Sequence, residues 1–476
     1  MFDQWKMDLE SEDHRARRDM TEKSIARYIK GDTERQVTSS STSNAVFVSD
    51  CTCIMGASVA QPSYLCCGLS NGSVCLLNTA NLSKIYLFEV DRDPRAASRD
   101  AERRGSTLRG SGSSAAQQLV AVATHMLAPS GSTATAAAAA GQLLLCMTLD
   151  SVVCVCPMDL STVLERKKVS RSDVTKVKPY PLMKSASVRY SIVQFNPKGN
   201  RIAAVLGVAQ EDGPTSPSTC SDVRHCVAVL TSTDAAVTLQ SQFACEREWH
   251  TLAPPTTPTA ATDAPALKLR YCGWWSADVL VCLWSNSCVQ LLRAGDMAVV
   301  GECRLLRHCA ADAVTSAAVS RPSGAEASES LSSNIVALVL DHNVAATFYV
   351  TSKKAVSAEA PDLKRARSEL PLSLSITPTL QTYCTEEIPI REAYLFRSFS
   401  WTLLLLLESG ALVFLDVETM KLSVHRAVNR LRAPDVDRYR ARASLALPRH
   451  YFCVVNGKPF TAAIIEYNAA VMLKSQ

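Results

Sequence analysis

The chain has 476 residues, of which 47 % are hydrophobic and 20 % charged, and its formal net charge is +5. This is an ordinary globular balance that excludes a disordered chain and supplies enough apolar side chains for a large core. A surplus of +5 spread over 50 basic and 45 acidic residues does not by itself argue for nucleic acid.

Residues 2–30 come first and differ from everything after them. Asp3, Asp8, Glu10, Glu12, Asp13, Arg15, Arg17, Arg18, Asp19, Glu22 and Lys23 fill a stretch without Pro or Gly, which predicts a weakly amphipathic helix. Its large apolar side chains, Phe2, Trp5, Leu9, Ile25, Tyr28 and Ile29, sit near its two ends, and Trp5 is the expected anchor on a partner or on the rest of the chain. Met1 to Asp8 contain no apolar stretch of the signal-peptide type, and pure apolar runs such as Leu403 to Leu407 are far too short to span a membrane. The expectation is a soluble intracellular protein with no membrane insertion.

From residue 44 onward one pattern recurs: an apolar strand, a polar turn, a second apolar strand. The clearest copy runs from Tyr64 to Leu77 around Asn71-Gly72, the strongest short hairpin signal. Leu143 to Cys146 pairs across Leu149-Asp150-Ser151 with Val152 to Val155. Ile192 to Phe195 leads through Asn196-Pro197-Lys198-Gly199-Asn200 into Arg201 to Leu206, and its further partner, Cys226 to Leu230, follows an insert from Asp212 to Ser221. Val279 to Trp284 turns at Ser285-Asn286-Ser287 into Cys288 to Leu292. Ile335 to Leu340 turns at Asp341-His342-Asn343 into Val344 to Val350. Leu403 to Leu407 turns at Glu408-Ser409-Gly410 into Ala411 to Leu415, and Phe452 to Val455 turns at Asn456-Gly457-Lys458 towards Ile465.

The apolar strand, Asn-Pro-Lys-Gly-Asn turn and apolar strand at 192–206 resemble the first two strands of a WD40 blade. The resemblance is architectural, covers about residues 44–470, and lacks the Gly-His and Trp-Asp marks of a standard blade. It implies an all-β, seven-bladed WD40-like β-propeller over 44–476, preceded by an N-terminal helical arm and linker at 1–43. A three- or four-stranded meander cannot bury both its faces alone, and radial packing of seven solves this. The surplus length lies in polar or low-complexity inserts, expected to be rim loops: 92–118, 130–141, 212–221, 254–265, 320–333 and 352–373.

Catalytic patterns are scarce. Gly68-Leu69-Ser70-Asn71-Gly72 has the GxSxG form of a nucleophile elbow, but that elbow needs a following helix, and Ser73 to Leu77 read as a strand. No phosphate-binding glycine loop, HxH or HExxH occurs, and the eight histidines are scattered singly. Eighteen cysteines include no CxxC and sit mostly in apolar runs, where Cys acts as a small hydrophobe. No catalytic, cofactor-binding or metal residue is expected.

Two basic features stand out. Lys353-Lys354 followed by Lys364-Arg365-Ala366-Arg367 has the form of a bipartite nuclear localisation signal, set against the alternative of a solvated charged loop. Arg426, Arg430, Arg432, Arg438, Arg440 and Arg442 form a basic connector, interrupted by Asp435 and Asp437, that suits an acidic partner or RNA phosphate. Trp274-Trp275 is read as one core side chain and one on a rim, where Trp anchors an interface. These features together imply a non-catalytic scaffold or adaptor subunit of a larger, nuclear assembly with protein partners. The alternative is an RNA-binding propeller that assists an RNA-processing or RNA-modifying enzyme.

Overall fold

A computed structural model of the chain describes residues 188–209, 223–234, 237–238, 241–245, 249–255, 267–320, 332–354, 372–384, 388–397, 401–408, 412–417 and 422–425, with further strands before and after them. Its regular structure is β throughout: twenty-eight strands and no helix among the described residues. They form seven antiparallel sheets. The first holds Val48–Ile54, Tyr64–Leu69, Ser73–Asn78 and Ile85–Glu89, and the second Leu119–Met126, Gln142–Leu149, Val152–Asp159 and Thr175–Lys176. The third holds Val188–Phe195, Arg201–Ala209 and Val223–Ser232, with an outer strand broken into Phe243–Cys245 and His250–Thr251. The fourth holds Leu269–Trp274, Val279–Trp284, Cys288–Arg293 and Val299–Arg304; the fifth Val314–Val319, Ser332–Leu340, Val344–Lys354 and Leu372–Cys384. The sixth holds Ile390–Arg397, Trp401–Leu407, Leu412–Asp416 and Leu422–His425, and the seventh Arg442–Ala443, His450–Asn456 and Ala462–Asn468.

In every sheet but the third the sequence pattern marks the second and third strands, because those two are joined by a short turn and both are apolar; in the third the short turn, Asn196–Asn200, joins the first and second strands. The turn at Asp341-His342 shows the local logic: both residues have positive φ, 46° and 64°, and the Asn343 N–H returns to the Leu340 carbonyl at 3.0 Å. Consecutive left-handed residues match the right-handed twist of the flanking strands. Gly199 takes φ 70° in the Asn196–Asn200 turn, where its N–H donates to the Asn196 carbonyl at 3.0 Å. The GxSxG segment joins Tyr64–Leu69 to Ser73–Asn78, so a strand follows the serine rather than a helix.

The first strands of the first six sheets lie side by side in succession, and Val48–Ile54 of the first sheet packs against Arg442–Ala443 of the seventh. The sheets are thus arranged radially, as in a β-propeller. Cores form between neighbouring sheets rather than inside any one of them. Trp275, Leu283 and Leu291 of the fourth sheet pack with Val314, Leu338 and Phe348 of the fifth, while Cys272, Trp284 and Leu292 pack with Val205 and Val227 of the third. Both faces of Val279–Trp284 are therefore covered, which is why this strand is continuously apolar instead of alternating. Each such side chain, fully buried, contributes about 1.5–3 kcal/mol relative to exposure. The expected helix at 2–30 and any helix within 426–441 lie outside the described residues.

Candidate interaction surface

Antiparallel meanders sort their connections to two ends. At one end lie the links from second to third strand and from each sheet to the next; at the other lie the links from first to second and from third to fourth. The first end carries a repeated irregularity. In each of the first six sheets the first strand holds one unpaired residue near its start: Ser49, Val120, Arg189, Arg270, Thr315 and Arg391. An extra residue of this kind is a β-bulge, which bends the strand and re-aims a side chain. Three of the six are arginine. The short phrases Val188-Arg189-Tyr190, Leu269-Arg270-Tyr271 and Ile390-Arg391-Glu392 carry the signal, but only the strand register reveals that they are equivalent.

The residue before the bulge fastens its strand to the preceding sheet. The Val314 N–H donates to the Ser285 carbonyl at 2.9 Å, and the Ile390 N–H donates to the His342 carbonyl. In the fourth sheet the acceptor is a side chain: the Leu269 N–H donates to His225 Nε2 at 3.2 Å. His225 is buried and meets the Trp284 ring edge-on, with centroids 6.0 Å apart. Burial, with the Arg270 cation nearby, holds its imidazole at about 4, so at neutral pH Nε2 keeps the lone pair this bond requires. Arg270 is half-buried, donates Nε–H to the Val314 carbonyl at 2.7 Å, and has the exposed Asp312 carboxylate as its electrostatic partner.

At the opposite end, buried amides join the sheets. Asn196 Nδ2 donates to the Ala277 carbonyl at 2.9 Å, and Arg201 pairs with Asp278 across the same junction. Asn334 Nδ2 donates to the Trp275 carbonyl at 3.3 Å. Trp274 and Trp275 are 3 % and 1 % exposed, so the expectation that one of them lies on a rim is corrected. Successive strand residues point to opposite faces, and here both faces are roofed by a neighbouring sheet. Trp274 Nε1 donates to the Gln194 carbonyl of the third sheet at 3.0 Å, while Trp275 Nε1 donates to Ser352 Oγ of the fifth at 3.3 Å.

Cys226, Cys272, Cys282 and Cys288 are buried. Burial first, and then the Glu302 carboxylate, pushes the Cys288 and Cys303 thiols up to about 12. Thiols held protonated in this way are packing groups, not nucleophiles. Among the described residues no three His, Cys, Asp or Glu side chains converge on a point that would hold a metal ion.

The described members of the two basic features, Lys353 and Lys354 of one and Arg442 of the other, fall at opposite ends of their sheets. Lys353 and Lys354 close the third strand of the fifth sheet, in register with Ser373 and Leu372, at the end away from the bulges. Lys353 is exposed there, whereas Lys364, Arg365 and Arg367 lie outside the described residues. Arg442 begins the first strand of the seventh sheet at the bulge end; Trp5, Arg426, Arg430, Arg432, Arg438 and Arg440 lie outside the described residues.

No protein-family model and no curated protein sequence matches the chain. Among solved structures it is similar to the β-propeller domain of Cps50 (Swd1) from Myceliophteria thermophila, at 11 % identity and a TM-score of 0.43, over 85 % of this chain and 94 % of that one.

Proposed function

We propose that the chain is a seven-bladed propeller that acts as a non-catalytic scaffold or adaptor subunit of a larger nuclear assembly. One observation carries the reading. The buried polar side chains Asn196, His225, Asn334, Ser285 and Gln290 bond to the protein itself; the first three join neighbouring sheets, and the last two brace the fourth sheet. What remains for recognition is the two sets of end loops on a rigid frame. A tagged full-length chain is expected to co-purify with stoichiometric protein partners and to elute well above 51.5 kDa in size exclusion. Elution as a lone monomer from cells at native abundance contradicts the reading.

The N-terminal arm belongs to this proposal as a partner-binding element anchored by Trp5. Deleting residues 1–30 is expected to remove co-purifying proteins with little change in thermal midpoint. A fall in stability with partners retained assigns the arm to the propeller instead, and no change in either discards it.

Nuclear import through Lys353, Lys354, Lys364, Arg365 and Arg367 completes the proposal. The support is the sequence spacing of the two basic clusters, with the first, Lys353-Lys354, paired to Ser373 and Leu372 at the end of a strand. Changing Lys364, Arg365 and Arg367 to Ala is expected to move a fluorescently tagged chain to the cytoplasm. A wild-type chain that is already cytoplasmic, or a variant that stays nuclear, rejects it.

A second reading has its own observation. The connector bearing Arg426 to Arg440 runs directly into Arg442 at the bulge end, which suits RNA backbone binding by a non-catalytic partner of an RNA-modifying enzyme. A binding constant that falls steeply across a salt series supports it.

A further inference from the structure

We propose that Cys272 and Cys282 are a redox-convertible pair: packing thiols while the third and fourth sheets are closed together, and a single cross-strand disulfide once the sheets part and a small-molecule disulfide oxidises them. This does not depend on the scaffold reading. Cys272 lies on the first strand of the fourth sheet and Cys282 on the second, in direct register. Directly opposite residues of an antiparallel pair project from one face, with Cα atoms about 4.5–5.5 Å apart, inside the span a disulfide bridges. Here the side chains meet: Cys282 Sγ donates to Cys272 Sγ at 3.6 Å. Forming the bond brings the sulfurs about 1.5 Å closer, a side-chain adjustment rather than a strand shift. The nearby thiols are turned elsewhere. Cys226 Sγ lies 4.0 Å from Thr251 Oγ1, and Cys288 Sγ donates to the Val289 carbonyl at 4.0 Å.

The closed molecule protects the pair. Cys272 and Cys282 are 2 % and 0 % exposed and pack with Val205, Val227, Trp274 and Trp284 in the core between the third and fourth sheets. The bond to Cys272, and then burial, push the Cys282 thiol well above its ordinary range, and a protonated thiol does not attack a disulfide. Oxidation therefore waits on separation of the two sheets. Their junction is held by the Asn196 bond to the Ala277 carbonyl at 2.9 Å, the Trp274 bond to the Gln194 carbonyl at 3.0 Å and the Leu269 bond to His225 at 3.2 Å.

In the opened state one cysteine thiolate attacks a sulfur of the oxidant and expels the first oxidant thiolate. The other cysteine thiolate then attacks the protein sulfur of that mixed disulfide and expels the second. Two protein thiols lose two electrons, the oxidant becomes two thiols, and these take up the two protons. When the sheets close again the same packing shields the new bond from reductants. The cross-link also restricts the unfolded chain, so the oxidised protein is the harder one to unfold.

The test incubates the full-length chain with glutathione disulfide at several urea concentrations below the unfolding midpoint, where local opening precedes global unfolding. Excess N-ethylmaleimide in strong denaturant stops the reaction, and the tryptic peptide Tyr271–Arg293 is mapped by mass spectrometry. That peptide carries Cys272, Cys282 and Cys288, so the expected product is lighter by two hydrogens and alkylated on Cys288 alone. Cys272–Cys282 is expected to exceed Cys282–Cys288 by about tenfold or more, because the folded strands hold the first pair in place. The fully unfolded chain is the reference: loop closure there favours the shorter Cys282–Cys288 link about twofold. The rate is expected to rise with urea, and Val205→Ala, which loosens the packing over the pair, to speed it severalfold without changing the pairing. After urea is removed, the bond is expected to resist reduced glutathione. Three alkylated cysteines, a dominant Cys282–Cys288 link below the midpoint, a rate that ignores urea, or ready reduction in the refolded protein overturns the proposal.

Discussion

Lowering the pH from 7 to 4 is expected to destabilise this protein by up to about 3 kcal/mol through one residue, His225. In the unfolded chain an imidazole titrates near its ordinary value of 6.5; in the folded chain burial and Arg270 depress it to about 4. Between those values the unfolded state binds the proton and the folded state does not. Stability therefore rises with pH across that window, is fully present above about 6.5, and is lost as pH falls towards 4. The structural reason is specific. His225 Nε2 accepts the Leu269 N–H at a junction where the fifth and sixth sheets use backbone carbonyls. Protonation turns that acceptor into a donor facing another donor, beside Arg270. Urea midpoints measured at pH 4.5, 5.5, 6.5 and 7.5 should follow this slope. His225→Gln, which supplies a non-titrating acceptor, should flatten it at some cost in packing. An unchanged slope in that variant refutes the assignment.

Trp284→Ala is expected to cost about 4 kcal/mol or more, enough to leave much of the chain unfolded at 37 °C. Trp284 is among the largest fully buried side chains. It fills the core between the third and fourth sheets and carries the edge-on contact with His225. Truncating a buried Trp removes about 3–5 kcal/mol of transfer and packing free energy. A second loss adds to it. Trp284 Nε1 donates to Gln290 Oε1 at 2.7 Å, and Gln290 Nε2 donates to Glu302 Oε2 at 3.0 Å, so the deletion strands a buried amide oxygen worth about 1–3 kcal/mol. Trp284→Phe keeps most of the volume and isolates the hydrogen-bond loss. Pairing it with Gln290→Leu removes both polar partners and should recover part of that loss. A double-mutant cycle with no coupling between positions 284 and 290 contradicts the account.

Much of the architecture is legible in the chain itself, for a local reason. Asn71-Gly72, Ser285 to Ser287 and Asp341-His342 each join two apolar strands through a turn of two or three residues, and such hairpins need only neighbouring sequence. Hairpin signals of this kind and somewhat longer ones, the broken copy at 192–230 included, predict seven antiparallel units, and the structure holds seven sheets among the described residues. Most first and fourth strands were not legible, Ile192–Phe195 being an exception. Leu269–Trp274 and Leu372–Cys384 join their sheets across longer connections, and their burial comes from the neighbouring sheet rather than from their own pattern.

The inter-sheet contacts belong wholly to the tertiary structure. Sequence made Trp274 and Trp275 point to opposite faces, but only the sheet on each side decided that both are core. Sequence alone did not single out Arg189, Arg270 and Arg391. Their equivalence appears only in the register, because a bulge is defined by which residue lacks a partner on another strand. The same holds for His225, whose lone pair matters because packing brings the Leu269 N–H to it from forty-four residues away. Short-range pattern settles which segments become strands, since side-chain alternation and turn chemistry act over a few residues. Which polar groups are buried, aimed or left outward is settled by contacts between sheets, and those depend on the whole ring closing.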